Sequence, residues 1–341
     1  MNDEKLKIAD WWERTDNNKI LCTLCPRYCR IGHDQPGFCY IRQNLGGVLY
    51  TLGYGHPSGF AIDPIEKKPL NHFLPGSKIL SFGTAGCNLG CRFCQNWSIS
   101  KAKMDDRNSI NASPEEVVDL AIRYKAPSIA YTYNDPTIFG EYVIDISRIG
   151  REEGIKSVMV TAGYIDKNAR KDVYKYIDAA NVDLKGFTER FYNKLTFSHL
   201  DDVLDTLRWL KNETNIWFEI TTLLIPGEND SEEEIKNECA WIVNNLGDSV
   251  PLHFTAFHPD FKMLDKEKTP ERTLMHAREI GISAGIKYCY VGNVHNIVGQ
   301  TTYCPNCGEE LIKRDWHSVN FNRVAGGICP KCKTKIEGVF S

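Results

Sequence analysis

Lys78-Ile79-Leu80-Ser81-Phe82-Gly83-Thr84, running into Ala85-Gly86-Cys87-Asn88-Leu89-Gly90-Cys91-Arg92-Phe93-Cys94, is the stretch on which the fold turns. Its first half is a short apolar run, as a buried strand requires, and its second half breaks into glycines and cysteines, as a loop does. Downstream the same kind of run recurs at Ser128 to Tyr133, Ser157 to Thr161, Val182 to Lys185, Trp217 to Leu223, Leu252 to Thr255 and Lys287 to Val291. Amphipathic stretches separate them, which is the pattern of parallel strands joined by helical crossovers. Ser113-Pro114-Glu115-Glu116 reads as an N-cap, a first-turn proline and a capping-box glutamate, and Thr269-Pro270 is expected to open the last crossover in the same way. Six or seven βα repeats suit an α/β fold of the partial (β/α)6-type TIM barrel better than a doubly wound sheet. The expected division is a Cys-rich metal-binding segment at 1–75, the partial barrel at 76–298 and a zinc-ribbon-like segment at 299–341.

The chemistry is concentrated in cysteine. The chain has 341 residues, 41 basic against 44 acidic side chains, and 13 cysteines. A net charge of −3 carries no nucleic-acid footprint. The charged start lacks the apolar core of a signal peptide, and no apolar run is long enough to span a membrane, so a cytoplasmic location is expected. In a reducing compartment, closely spaced cysteines are metal ligands rather than disulfide partners.

Cys87, Cys91 and Cys94 form a C-x3-C-x2-C group directly after the first strand of the series. A [4Fe–4S] cluster is ordinarily held by four thiolates, so a compact triad leaves one iron for an external ligand. A zinc knuckle borrowing a fourth ligand, or plain structural cysteines, are the competing readings. Loops at the C-terminal ends of barrel strands are also where such folds place their chemistry.

Two further groups flank the barrel. Cys304-Pro305-Asn306-Cys307 and Cys329-Pro330-Lys331-Cys332 are paired knuckles suited to tetrahedral zinc, with rubredoxin-like iron as the alternative. Cys22, Cys25, Cys29 and Cys39 supply four thiolates that fit either zinc or a second iron–sulfur cluster, structural zinc being preferred. Between this group and the first strand, Asp63 to Gly76 is expected to form a buried lid against that strand, the bolder alternative being a substrate or partner contact.

The triad, with Phe93 before its last cysteine, resembles the radical S-adenosylmethionine (SAM) superfamily. The early cysteine motif, the Asp63 to Gly76 segment, Gln95-Asn96-Trp97, Tyr133-Asn134 and the terminal knuckles together resemble the radical SAM member of the AmmeMemoRadiSam system, in the pyruvate formate-lyase activating enzyme-like branch. The resemblance implies a [4Fe–4S] cluster on Cys87, Cys91 and Cys94, SAM on the open iron, and reductive cleavage to methionine and a 5′-deoxyadenosyl radical that abstracts hydrogen. It implies AMMECR-type and Memo-type partners, an electron donor such as flavodoxin or ferredoxin, and a protein or small-molecule substrate that it does not identify.

Residue by residue, Asn134 and Asp135 match the segment that contacts the SAM amine, although Asp135 stands where glutamate is expected and also suits an N-cap before Pro136. Thr161 and Gly163 match a Thr-Asn-Gly turn in which Ala162 replaces the asparagine, leaving a backbone role. Asp183 and Lys185 are expected to face SAM or substrate, or else to pair with each other at a strand end, while Pro226, His258 and Asn293 complete the candidate pocket. The chain lacks a ferredoxin-like insertion after Cys94, which weakens a glycyl-radical activating role without removing it. A metal-binding scaffold or electron carrier without catalysis is the reading from a different functional class.

Overall fold

The computed structural model describes residues 6–16, 19–104 and 109–340. The protein is a mixed α/β chain with a central parallel sheet, in the manner of a partial barrel. Seven of the eight strands of that sheet, all but the edge strand Ser58–Pro64, are β1 (Lys78–Gly83), β2 (Ser128–Tyr131), β3 (Lys156–Thr161), β4 (Ala179–Asp183), β5 (Trp217–Leu224), β6 (Leu252–Ala256) and β7 (Cys289–Gly292). All seven overlap the runs read from sequence; β4 is displaced most, since it begins at Ala179 and ends at Asp183 where Val182 to Lys185 was expected. Crossover helices are α1 (Pro114–Arg123), α2 (Gly140–Glu152), α3 (Ala169–Val173), α4 (Leu200–Glu213), α5 (Glu232–Leu246) and α6 (Glu271–Ser283).

Packing divides the chain into two compact units. One holds residues up to Ile62, Ile79–Asp178 and Thr196–Ser198; the other holds Asp63–Lys78, Ala179–Leu195 and the residues from His199 onward. In the first, β1, β2 and β3 pair in parallel, with Ser81 opposite Ala130 and Val158 opposite the same residue. Their side chains are buried on both faces, as a sheet covered on each side demands. In the second, β4 to β7 form the other parallel run.

Helix starts follow local chemistry. Ser113 accepts from the Glu116 N–H and Glu116 reaches back to the Ser113 N–H, the reciprocal box expected for α1. Thr269 does not act as the matching cap for α6. Its hydroxyl accepts from the Phe257 N–H at 3.0 Å and donates to the Leu224 carbonyl at 2.5 Å, so Pro270 takes the N-cap position with no side-chain cap. A hydroxyl that joins two strand ends is unavailable to the helix.

The second unit contains the Asp63 to Gly76 segment, which is buried as expected, although it packs through polar contacts to β5 and the terminal strands. Asn71 and His72 donate backbone N–H groups to the Glu219 carboxylate at 3.0 and 2.7 Å. Arg314, 1% exposed, donates to the Asn71 carbonyl at 2.6 Å and the Thr302 hydroxyl at 2.9 Å, beside Glu66. The terminal strands Thr302–Tyr303, Glu310–Asp315 and Ser318–Asn322 form a small antiparallel sheet. Among the described residues, no helix is long and apolar enough to cross a membrane.

Candidate active site

The triad loop is built by hydrogen bonds that join the ends of β1, β2 and β3, all in the first unit. Gly86 has φ +82°, and a Cβ there would come within 2.0 Å of the Cys39 carbonyl oxygen, so only glycine fits. Tyr133 has φ +71°, which ends β2 earlier than the sequence run suggests and turns the following residue back toward the loop. Asn134 then uses its whole amide. Its Oδ1 accepts from the Thr84 N–H at 3.2 Å, and its Nδ2 donates to the Thr84 hydroxyl at 3.1 Å and the Gly86 carbonyl at 2.8 Å.

Asp135 plays the corresponding part between β2 and β3. It caps the 3₁₀ turn Pro136–Phe139, which leads into α2, by accepting from the Thr137 N–H at 3.0 Å. It also accepts from the Thr161 hydroxyl at 3.1 Å and the Ala162 N–H at 2.9 Å. Burial pushes the Asp135 carboxyl up, against these donors. Gly163, at φ +67°, donates its N–H to the Thr161 hydroxyl, and the next carbonyl, of Tyr164, accepts from Asn88 Nδ2 at 2.9 Å. Asn88 directly follows Cys87, so the circuit closes on the triad.

Cys91 and Phe93 are buried, and Cys87 and Cys94 are half-buried. The Leu89 N–H donates to Cys87 Sγ at 3.4 Å, and Cys94 Sγ lies 3.1 Å from the Ser100 hydroxyl. Burial pushes the Cys87 thiol up to about 11, aided by the Asp135 carboxylate and opposed by the Lys101 ammonium. A metal would invert that preference, because coordination requires the thiolate. Lys101 also holds the loop from the other side, donating to the Leu89 carbonyl at 2.6 Å.

Sequence reasoning missed Lys101, Thr84 and Arg27. Arg27 donates to the carbonyls of Asn88 and Phe197 and stacks over Phe38. Its position inside Cys25-Pro26-Arg27-Tyr28-Cys29 marked it as part of a cysteine motif, with nothing in the spacing to show that it reaches the other one.

The remaining pocket candidates lie in the second unit. Asp183 and Lys185 form an ion pair at 2.8 Å, the bland alternative for these two. Pro226 lies in a turn shaped by Asn229, whose Oδ1 accepts from the Ile225 N–H and whose Nδ2 donates to the carbonyls of Lys185 and Leu223 at 2.9 Å. His258 is exposed. Asn293, at φ +59°, donates to the Ala256 carbonyl at 3.1 Å and so joins the ends of β6 and β7. Asn229 and Asn293 thus do for this unit what Asn134 does for the first.

The terminal cysteines form a ready metal site in the same unit. Cys304, Cys307, Cys329 and Cys332 have sulfur atoms within 4.8 Å of one another, with Cys304 and Cys332 at 3.5 Å and Cys307 and Cys329 at 3.8 Å. Tetrahedral coordination at a metal–sulfur length of about 2.3 Å requires sulfur separations of about 3.8 Å. An apolar cluster of Tyr288, Tyr290, Leu311, Ile312 and Ile336 packs with them.

Fold and site define a class, a partial barrel whose first strand delivers a three-cysteine loop. The family described as the Radical SAM superfamily matches residues 82–239, and an uncharacterized protein of Methanocaldococcus jannaschii, MJ0808, is 44% identical over 91% of this chain and 92% of its own length. The chain belongs to the radical SAM superfamily, and it is an enzyme. It is 24% identical to the pyruvate formate-lyase-activating enzyme of Clostridium pasteurianum over 57% of this chain and 87% of that one. The crystal structure of a radical SAM methyltransferase from Sphaerobacter thermophilus shares the fold, with a TM-score of 0.53 and 16% identity over 64% of this chain and 67% of that chain.

Proposed function

We propose that the protein cleaves SAM reductively and uses the resulting radical to take hydrogen from a protein or small-molecule substrate. The observation that carries this reading is the Gly86–Cys94 loop, whose backbone is fixed from three sides by Asn134, Asn88 and Lys101. Cys87, Cys91 and Cys94 fit a [4Fe–4S] cluster: no three metal-ligating atoms there crowd to zinc spacing, and Lys101 and the Leu89 N–H offset thiolate charge. When bound, the cluster and SAM supply methionine and a 5′-deoxyadenosyl radical. The protein's share is to fix the loop, exclude water around Phe93 and Cys91, and shape the surroundings of the open ligand position.

Asn134 and Asp135 are assigned to SAM binding through their backbones and their hold on the loop, since both side chains are fully engaged within the protein. Thr161 and Gly163 contribute by the same backbone route. Asp183, Lys185, Pro226, His258 and Asn293 are proposed as cofactor- or substrate-binding residues of the second unit. Zinc is proposed for the terminal four cysteines on the strength of their spacing.

The names of two relatives, the pyruvate formate-lyase-activating enzyme and the 4-hydroxyphenylacetate decarboxylase activating enzyme of Clostridioides difficile, favour a second reading in which the substrate is a glycyl-radical protein. AMMECR-type and Memo-type proteins are the other proposed partners, with a flavodoxin or ferredoxin as donor in the cytoplasm. The reduced protein incubated with SAM and each co-encoded partner separates these readings. A SAM-dependent glycyl radical signal on a partner supports activation, whereas 5′-deoxyadenosine formed from SAM with hydrogen taken from a substrate, without that signal, supports another hydrogen donor.

A further inference from the structure

We infer that Cys22, Cys25, Cys29 and Cys39 hold a second iron–sulfur cluster, of the four-thiolate [4Fe–4S] kind, rather than zinc. All four line one cavity of about 20 Å³, together with Arg27, Arg42 and Asn88. Four sulfurs around zinc at about 2.3 Å would leave no such space at their centre. The contrast with the terminal cysteines is direct. Among the described residues, the terminal four are the group of three or more cysteine, histidine or acidic side chains whose ligand atoms fall within 4.8 Å of one another, and no three of the early cysteines meet that limit. Like the triad, the early cysteines are spread more widely than the zinc-type knuckles.

The cavity is also prepared for an anion. Arg42 is 1% exposed, and its Nη1 is held by the Glu141 carboxylate at 2.8 and 3.1 Å, while its Nε is buried with no hydrogen-bond partner. An orphaned buried guanidinium donor is costly unless something in the cavity accepts from it. A cluster with four thiolates is net negative and sulfur-rich, so it supplies that acceptor. Backbone N–H groups of Arg27, Phe38, Ile41 and Arg42 face the sulfurs of Cys25, Cys29 and Cys39 in the same way. Residues 86 and 88, on either side of Cys87, adjoin this group: Gly86 packs on the Cys39 carbonyl and Asn88 lines the cavity.

The site is tested apart from the proposed SAM chemistry by removing the triad. The full-length variant with Cys87, Cys91 and Cys94 replaced by alanine is reconstituted anaerobically with ⁵⁷Fe and sulfide, desalted, and assayed for iron, sulfide and zinc. The expected result is about four iron and four sulfide per chain with a [4Fe–4S] Mössbauer spectrum, and about one zinc. Adding Cys22→Ala and Cys39→Ala should remove the iron and leave the zinc. Because those cysteines are buried, Cys29→Ser, at the half-buried ligand, serves as the variant that preserves the core, and it should alter the Mössbauer signature of the cluster iron. About two zinc per chain with no cluster iron would overturn the inference, as would cluster iron whose amount and spectrum ignore all three of these substitutions.

Discussion

Asn134 shows how much one side chain can carry. Its amide makes three hydrogen bonds to Thr84 and Gly86, and the partners it satisfies are buried. Truncation to alanine leaves the Thr84 N–H and Gly86 carbonyl without it, at a cost of about 1–3 kcal/mol. Asn134→Ala is therefore expected to fold, to load less iron on the triad, and to lower the rate of SAM cleavage by about 10-fold or more; iron content per chain and 5′-deoxyadenosine yield measure both. Gly86→Ala should be more severe, because a Cβ 2.0 Å from the Cys39 oxygen cannot be relieved without moving two cysteine loops. The placement of the three cysteines directly after β1 was legible in sequence, because an apolar run followed by a Gly- and Cys-rich loop is a local signal. The engagement of the Asn134 and Asp135 side chains was not, since it depends on Thr84, Gly86 and Ala162, which only tertiary structure brings within reach.

Among the elements, the capping box of α1 could be read directly because all its atoms lie within four residues. Thr269 could not, because its competing partners, Leu224 and Phe257, belong to the ends of two strands. Helix α5 holds a further consequence of placement. Glu238 is buried against β5, accepts from the Thr222 hydroxyl, and is pushed up to about 8 by burial. Its folded pKa thus exceeds the unfolded value near 4.5, so the native state retains a proton that the unfolded chain loses between those values. This group's contribution is fully present below about pH 4.5 and falls as pH rises through about 8. Glu238→Gln should consequently flatten the loss of stability between pH 5 and 8, with little difference from wild type at pH 5; urea denaturation at several pH values measures it.

At the scale of the whole molecule, the alternation of strands and helices announced the α/β class, but not that the Asp63–Lys78 segment would join the second half of the sheet and the terminal strands. That grouping rests on Glu66, Glu219 and Arg314, whose charges are partnered only after distant segments meet. Cys304→Ser combined with Cys332→Ser should release one zinc per chain and lower Tm by roughly 5 °C or more, while leaving the triad iron in place, as metal analysis and calorimetry would record. The central claim is radical chemistry at Cys87, Cys91 and Cys94, and its most direct test is product analysis of the anaerobically reconstituted, reduced protein with SAM, beside the variant with all three cysteines changed to alanine. The account predicts 5′-deoxyadenosine and methionine from the wild type and neither from the variant. Equal product from both, or none from wild type carrying a loaded triad cluster in the presence of donor and co-encoded partners, would contradict it.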